Sequence, residues 1–168
     1  EAHPEINYVG IERYSSVLLR AVERYDALVA GAGEMRGKAD ATEDSSGTRA
    51  VEVSGAAKSL DNIRLICMDA ACLADVFAKG EVEKIYLNFS DPWPKAKHAK
   101  RRLVSKEFLT VFSKVLASGG TVEFKTDNVD LFDFSLQQAK EAGWEVLAVT
   151  RDLHHDEVMS RGNVMTEY

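Results

Sequence analysis

The sequence predicts an α/β protein with a doubly wound, mainly parallel sheet. Short apolar strands alternate with amphipathic helices along the chain, and this order of elements produces parallel βαβ units. Most of the predicted strands end in an acid or an amide, so polar side chains collect at the carboxyl edge of the sheet. Ligands bind at that edge in open parallel sheets. The composition, 45% apolar and 29% charged, is that of a globular protein.

The first part of the chain predicts two strand–helix pairs. Apolar runs mark the strands, and apolar residues at helical spacing mark the helices. The elements are a strand at 6–12, a helix from Ser15 or Ser16 to Tyr25, a strand at 62–69 and a helix at 70–78. Glu12 ends the first strand, where a carboxylate can accept hydrogen bonds from ribose hydroxyls. Asp69 ends the second, where it suits either an adenine contact or a helix N-cap.

Residues 31–59 interrupt this alternation. They contain no aromatic residue, and their only large apolar side chains are Met35, Val51 and Val53. Such a segment buries too little apolar surface to offset its ordering entropy. We therefore predict a flexible insertion within a single domain that spans residues 1–168.

The second part of the chain continues the alternation. The predicted elements are a strand at 84–88, a helix at 99–117, a strand at 121–125, a helix at 130–142 and a strand at 144–150. Gly119 and Gly120 should end the first of these helices, and Gly143 the second. Asn88 ends one strand and Asp127 follows another, which brings both to the carboxyl edge.

A doubly wound nucleotide site normally opens with a strand and a glycine-rich turn. No such element precedes the first predicted strand, although this strand belongs in the middle of the sheet. Its absence would leave strand edges unpaired in the core. We therefore expect the chain to lack its first strand. We also expect an incomplete C-terminal end, because the sequence stops inside a polar motif.

The loop after residue 88 is stiff and carries an acid. Pro92 and Pro94 fix their own φ angles and push the preceding residues towards extended geometry. Asp91 can hold the donor edge of a guanine with two charge-assisted hydrogen bonds, or it can simply form the turn. Trp93 can stack on a base or wedge the loop.

A cationic run follows this loop. The stretch from Lys95 to Lys106 carries six Lys or Arg and no acid, although the net charge of the chain is −6. The helix predicted from residue 99 would place many of these cations at its N-terminus, where the helix dipole disfavours them. We therefore predict that they bind phosphates on a local positive patch of an acidic body. The side chains are those of Lys95, Lys97, His98, Lys100, Arg101 and Arg102.

These motifs resemble the signature of the bacterial-type tRNA (guanine-N7-)-methyltransferases, a class I family that uses S-adenosylmethionine. The segments that carry the resemblance are residues 8–12, 69–70, 88–95, 98–103, 124–128 and 163–168. The resemblance implies a Rossmann-like class I methyltransferase fold and methylation of N7 in a variable-loop guanosine of tRNA. Three features depart from the family. The Glu-x-Gly-x-Gly strand and turn are missing, the segment expected after Tyr168 with its acid is missing too, and the insertion at 31–59 is atypical.

The resemblance also implies roles for single residues. The cofactor contacts are Glu12, Asp69, Asn88 and Asp91, and Asp91 is in addition the active-site residue. The guanosine contacts are Lys95, Asp127, Thr166 and Glu167. The tRNA contacts are Lys97, His98, Lys100, Arg101 and Arg102. We expect no metal, because His154 and His155 have no evident third ligand.

Two other classes of protein stay open. A non-catalytic tRNA-binding protein on the same fold would bind tRNA without cofactor. A nucleotide-dependent oxidoreductase could use an acid after its second strand, but it has no use for the cationic run. No apolar run approaches the roughly 20 residues of a membrane span, and two cysteines suggest a reducing compartment. We expect a monomer or homodimer without an obligatory protein partner. The expected location is the cytoplasm, or an organelle if a targeting leader precedes Glu1.

Overall fold

The computed structural model describes residues 3, 5–37, 61–161 and 163. The chain divides into two compact units, Glu1–Leu73 and Ala74–Tyr168. Among the described residues, each unit contains one two-stranded parallel sheet. The prediction of an α/β protein with parallel strands is therefore confirmed. No helix in the described ranges has the length and apolar character needed to cross a bilayer.

The first unit is built on a parallel strand pair with a helix against it. Its elements are β1 (Tyr8–Glu12), α1 (Ser15–Gly37) and β2 (Ile63–Cys67), and α1 packs on both strands. Gly10 faces Leu65 across the pair, and a Cβ at Gly10 would lie 2.7 Å from the Leu65 Cδ2 atom. The absence of a Cβ at Gly10 therefore leaves room for the Leu65 side chain at this point.

Helix α1 is longer than the sequence predicts. We expected it to end near Tyr25, with the insertion beginning at residue 31, but it continues to Gly37. Ala30, Glu34 and Met35 are good helix formers, and adding a residue to an existing helix is far easier than starting a new one. The expected insertion thus begins inside a helix, and its residues 38–59 lie outside the described part of the chain.

The second unit holds most of the buried apolar residues. Its elements are a 3₁₀ helix (Ala96–Arg101) between β3 (Val82–Asn88) and α3 (Lys106–Val115), then β4 (Leu116–Lys125) and α4 (Val129–Glu141). A 3₁₀ turn (Ala70–Cys72) and the short α2 (Leu73–Val76) precede them. The buried apolar side chains of this unit are Leu87, Val104, Leu109, Phe112, Val115 and Leu131. Helices α3 and α4 pack together, so the core lies on the inner faces of these helices and of β3.

Strand β4 begins earlier than predicted. Gly119 and Gly120 do not end a helix but lie within β4, which starts at Leu116. Pairing with β3 is irregular here, because the register shifts between Val82 and Lys84. Gly119 absorbs the irregularity with a φ of 77°, a left-handed conformation that other residues adopt only at a cost.

Two further sequence predictions are wrong. The helix predicted at 99–117 is divided into the 3₁₀ helix and α3, because Arg102 has extended backbone between them. The strand predicted at 144–150 does not form, since neither sheet of the described residues supplies a partner for it. Leu147 in this segment is accordingly 71% exposed.

Helix α4 depends on its N-cap for local stability. The side chain of Asn128 accepts a hydrogen bond from the Leu131 amide at 2.8 Å. We expect Asn128→Ala to lower the free energy of unfolding by about 1 kcal/mol, because a helix-end amide loses its acceptor. Asn128→Asp keeps an acceptor and serves as the control. Urea titrations of the full-length protein measure both, and equal midpoints for the two variants would contradict this role.

Candidate functional site

The loop Phe89–Lys95 continues directly from β3. The amide of Phe89 donates to the Lys125 carbonyl at 2.9 Å and so extends the pairing of β3 with β4. Phe89 has a φ of 51° and Trp93 a φ of 41°. A left-handed φ costs a residue with a Cβ roughly 1–2 kcal/mol. The surrounding structure must therefore hold this loop, and such backbone tends to occur at functional sites.

The side chain of Arg102 holds the middle of the loop. Its Nε atom donates to the Pro92 carbonyl at 2.8 Å, and its Nη2 atom donates to the Trp93 carbonyl at 3.0 Å. The guanidinium carbon also lies 4.3 Å from the centre of the Phe134 ring of α4. Arg102, which the sequence predicts as a phosphate ligand, thus directs its guanidinium into the protein.

Trp93 is half-buried beneath the cationic segment. Its ring meets that of His98 edge to face at a centroid distance of 5.7 Å. The Arg101 guanidinium lies 5.2 Å from the ring centre. Of the two roles considered from the sequence, wedging the loop agrees with these contacts, because His98 and Arg101 already pack on the ring.

Asp91 presents an uncommitted carboxylate. Its side chain is exposed, and within the described part of the chain it makes no hydrogen bond or ion pair. The neighbouring Ser90 hydroxyl is buried and has no hydrogen-bond partner among the described residues. The loop therefore offers an acceptor that is free for a ligand on a backbone that is held in place.

The carboxyl edge of the β3–β4 pair gathers several predicted site residues. Asn88 ends β3 opposite Lys125, the last residue of β4. Asp91 follows β3, and Asp127 follows β4 with its side chain exposed. Because the two strands are parallel neighbours, these polar groups share one edge of the sheet. The other predicted guanosine contacts, Thr166 and Glu167, lie outside the described residues.

The cationic residues lie on the 3₁₀ helix and not at the start of an α-helix. Lys97, Lys100 and Arg101 are exposed, whereas His98 is half-buried. His98, Lys100 and Arg101 occupy the last turn, where a helix dipole favours positive charge. The predicted placement of these cations at the N-terminus of a helix is therefore wrong. What supports phosphate binding is the exposure and close spacing of the cations.

One of these cations has an acidic neighbour. The Lys100 ammonium lies 3.5 Å from the Glu107 carboxylate, with 83% of the lysine side chain exposed. So exposed a pair contributes little to stability and leaves the lysine accessible to a phosphate.

The predicted cofactor acids of the first unit lie at the ends of neighbouring strands. Glu12 ends β1 opposite Cys67, and its carboxylate accepts a hydrogen bond from the Tyr14 amide at 2.8 Å. Asp69 caps the 3₁₀ turn by accepting from the Ala71 amide at 2.9 Å. Its second oxygen lies 3.4 Å from Arg13. The N-cap role of Asp69 is confirmed, and each acid keeps lone pairs for a further donor.

No group of three or more His, Cys, Asp or Glu in the described ranges could hold a metal ion.

A lysine–glutamate–lysine network links β3 and β4 beside the site. The Glu123 carboxylate lies 2.9 Å from the Lys84 ammonium and 3.3 Å from that of Lys125. Lys125 also donates to the side chain of Asn163. Partial burial raises the pKa of Glu123, but the two lysines, through their hydrogen bonds and charges, together lower it by more than burial raises it. The pKa is therefore lower than its ordinary value.

This network predicts a pH-dependent contribution to stability. Because the pKa of Glu123 is lower in the folded state, the ionised carboxylate stabilises the protein at pH values above its ordinary pKa of 4.5. This contribution is lost as the pH falls through the pKa of the folded state. We expect Glu123→Gln to cost below about 1 kcal/mol at pH 7, because the pair is partly exposed. Urea titrations at pH 7 and pH 3 measure the difference. An equal cost at both pH values would contradict the ion-pair origin.

Comparison with known proteins places the sequence among methyltransferases. All of residues 1–168 match a family described as "Putative methyltransferase". A tRNA (guanine-N(7)-)-methyltransferase of Lachnoclostridium phytofermentans is 47% identical over 166 residues, which cover 99% of this chain and 63% of that protein. The enzyme of the same name from Macrococcus caseolyticus is 39% identical over 168 residues, covering 100% and 65%. That from Listeria monocytogenes is 40% identical over 168 residues, covering 100% and 64%. The chain thus spans less than two thirds of the length of these relatives.

Proposed function

Because the chain belongs to this methyltransferase family, we propose that the protein transfers a methyl group from S-adenosylmethionine to N7 of a variable-loop guanosine in tRNA. The observation that carries the proposal is the loop after β3, which holds the free carboxylate of Asp91 beside exposed cations. The tRNA (guanine-N(7)-)-methyltransferase names of the relatives support it.

Methylation of guanine N7 depends more on aligning N7 with the methyl group than on proton transfer. Guanine N7 is an acceptor with a free lone pair, so no proton leaves it before attack. The carboxylate of Asp91 accepts hydrogen bonds from the N1–H and the exocyclic amine on the opposite edge of the base. This contact orients N7 and enriches the ring in electrons. Holding the reacting atoms in line then supplies most of the rate enhancement.

Further contacts complete the guanosine and tRNA sites. We propose that the substrate guanosine is contacted by Asp91, Lys95, Asp127, Thr166 and Glu167. We assign tRNA phosphates to Lys97, His98, Lys100 and Arg101. Exposed side chains at Lys97, Lys100 and Arg101 support the second set.

The acids at the ends of β1 and β2 fit a nucleoside cofactor. Glu12 and Asp69 each bind one backbone amide and retain acceptor capacity, which suits the hydroxyls and amine of an adenosine. We therefore assign both to S-adenosylmethionine, with Asn88 and Asp91 as further contacts. The bound cofactor supplies an electrophilic sulfonium methyl group.

We further propose the Rossmann-like, doubly wound class I methyltransferase fold for the whole protein. Parallel pairing within each of the two sheets supports it. A cytoplasmic location and a monomeric or homodimeric state stay predictions.

A transfer assay on the full-length protein tests the function. The substrates are an unmodified tRNA transcript and the same transcript with its variable-loop guanosine changed to adenosine, each with tritiated S-adenosylmethionine. We expect label in the first transcript and none in the second. Tight tRNA binding without transfer would contradict the proposal and favour the non-catalytic tRNA-binding protein.

A further inference from the structure

We propose that Arg102 is a positioning residue that sets the geometry of the loop carrying Asp91, in contrast to its neighbour Arg101, which faces the RNA. This inference rests on the proposed function, because it concerns the same site. It removes Arg102 from the tRNA contacts that the sequence predicts and gives it a separate task.

The hydrogen bonds of Arg102 form a fork on two consecutive carbonyls. The Nε and Nη2 atoms lie on one side of the planar guanidinium and donate to Pro92 and Trp93 at 2.8 and 3.0 Å. Arginine alone among the side chains presents two N–H donors in this fixed arrangement. The fork therefore fixes the positions of two successive peptide units, the one between Pro92 and Trp93 and the one between Trp93 and Pro94.

An aromatic ring supports the fork from a separate element. The guanidinium carbon lies 4.3 Å from the centre of the Phe134 ring, on the second turn of α4. This cation–π contact helps to hold the guanidinium in place. The partial burial of Arg102 strengthens both hydrogen bonds. Through Arg102 the loop is thus tied to α4, a regular helix.

The loop needs such support because its backbone is strained. Trp93, which supplies one of the two carbonyls, has a φ of 41°. Residues with a Cβ relax out of this conformation unless their surroundings hold them there. Loss of the fork would release the strain at Trp93, and Asp91, two residues away, would move with the loop.

Arg101 provides the matched comparison. It precedes Arg102 directly, carries the same charge and is exposed, and its guanidinium carbon lies 5.2 Å from the centre of the Trp93 ring. A phosphate contact by Arg101 depends mainly on charge, so lysine should replace it. The two hydrogen bonds of Arg102 depend on the geometry of its guanidinium, so lysine should not be able to replace it.

The test compares Lys and Gln variants of the two arginines in the full-length protein. We expect Arg102→Lys and Arg102→Gln to lower kcat about 10- to 100-fold, because small misplacements of a reacting group have effects of this size. Their tRNA affinity and its salt dependence should stay near wild type. Arg101→Gln should act mainly on KM for tRNA and reduce the slope of log K against log salt by about 0.7–0.9, while Arg101→Lys restores it.

Hydrogen–deuterium exchange of the peptide that covers residues 89–95 gives a second readout. We expect faster exchange in Arg102→Lys and unchanged exchange in Arg101→Lys. This readout does not need catalysis, so a wild-type protein that transfers no methyl group would refute the proposed function and still test the fork. If Arg102 variants fold poorly, Phe134→Leu keeps the fork but removes the ring, and kcat should fall a few-fold at constant tRNA affinity.

The proposal is overturned by wild-type kcat and exchange in Arg102→Lys. It is equally overturned if Arg102→Gln reduces the salt slope as Arg101→Gln does, because Arg102 would then be a phosphate ligand.

Discussion

Replacing Asp91 with asparagine should lower kcat for methyl transfer by about 10²- to 10³-fold, the range seen when one oriented polar contact to a reacting group is lost. The amide is the same size as the carboxylate but carries no charge. It also replaces one of the two acceptor oxygens by an NH2 donor, so one of the two guanine donors loses its acceptor and faces another donor. Affinity for the whole tRNA should change little, since phosphates supply most of it.

The matched control for Asp91 is Asp75→Asn. Asp75 is an exposed acid in α2 to which no site role is assigned, and its replacement changes the net charge equally. Single-turnover transfer with saturating tRNA separates the chemical step from binding. Full activity in Asp91→Asn would contradict the assigned role, and an equal loss in Asp75→Asn would show that charge alone matters.

Removing three exposed cations should produce the largest change in tRNA affinity. We expect the triple variant with Lys97, Lys100 and Arg101 changed to Gln to reduce the salt slope by about 2–3, since each phosphate contact contributes roughly 0.7–0.9. If wild type and variant bind equally at 1 M salt, this slope corresponds to a loss of about 10²-fold or more at 0.1 M. Fluorescence anisotropy of labelled tRNA over a KCl series measures both quantities.

A second triple variant controls for net charge. Lys79, Lys114 and Lys140 are exposed lysines outside the loop and the 3₁₀ helix. Changing all three to Gln alters the net charge by the same amount and should leave the salt slope near wild type. Equal slopes for the two triple variants would contradict a local phosphate-binding surface.

The sequence predicts the elements whose signals are local. The first three strands, α4 and the polar strand ends follow from apolar runs, caps and turn residues, and the structure has them within a few residues. The predictions that failed depend on distant contacts. Arg102 is extended because it bonds back to Pro92 and Trp93, which divides the expected helix. Residues 144–150 have strand-like composition, but a strand exists only with a partner.

The candidate site divides in the same way. The residue types in the loop predict a free acid on stiff backbone, and the structure shows Asp91 exposed and uncommitted. The sequence does not predict that Arg102 binds backbone carbonyls, because nothing in a run of consecutive cations distinguishes one that faces inward from those that face solvent. One signal was available: Arg102 lies two residues before Val104, which is buried, so the chain turns into the core directly after it.

Mass spectrometry of nucleosides tests the central claim most directly. The full-length protein is incubated with an unmodified tRNA transcript and S-adenosylmethionine that carries an isotopically heavy methyl group, and the tRNA is then digested. The proposed function predicts heavy 7-methylguanosine that maps to the variable loop and is strongly reduced with Asp91→Asn. A heavy methyl group on another atom or base, or none at all despite tRNA binding, would contradict it.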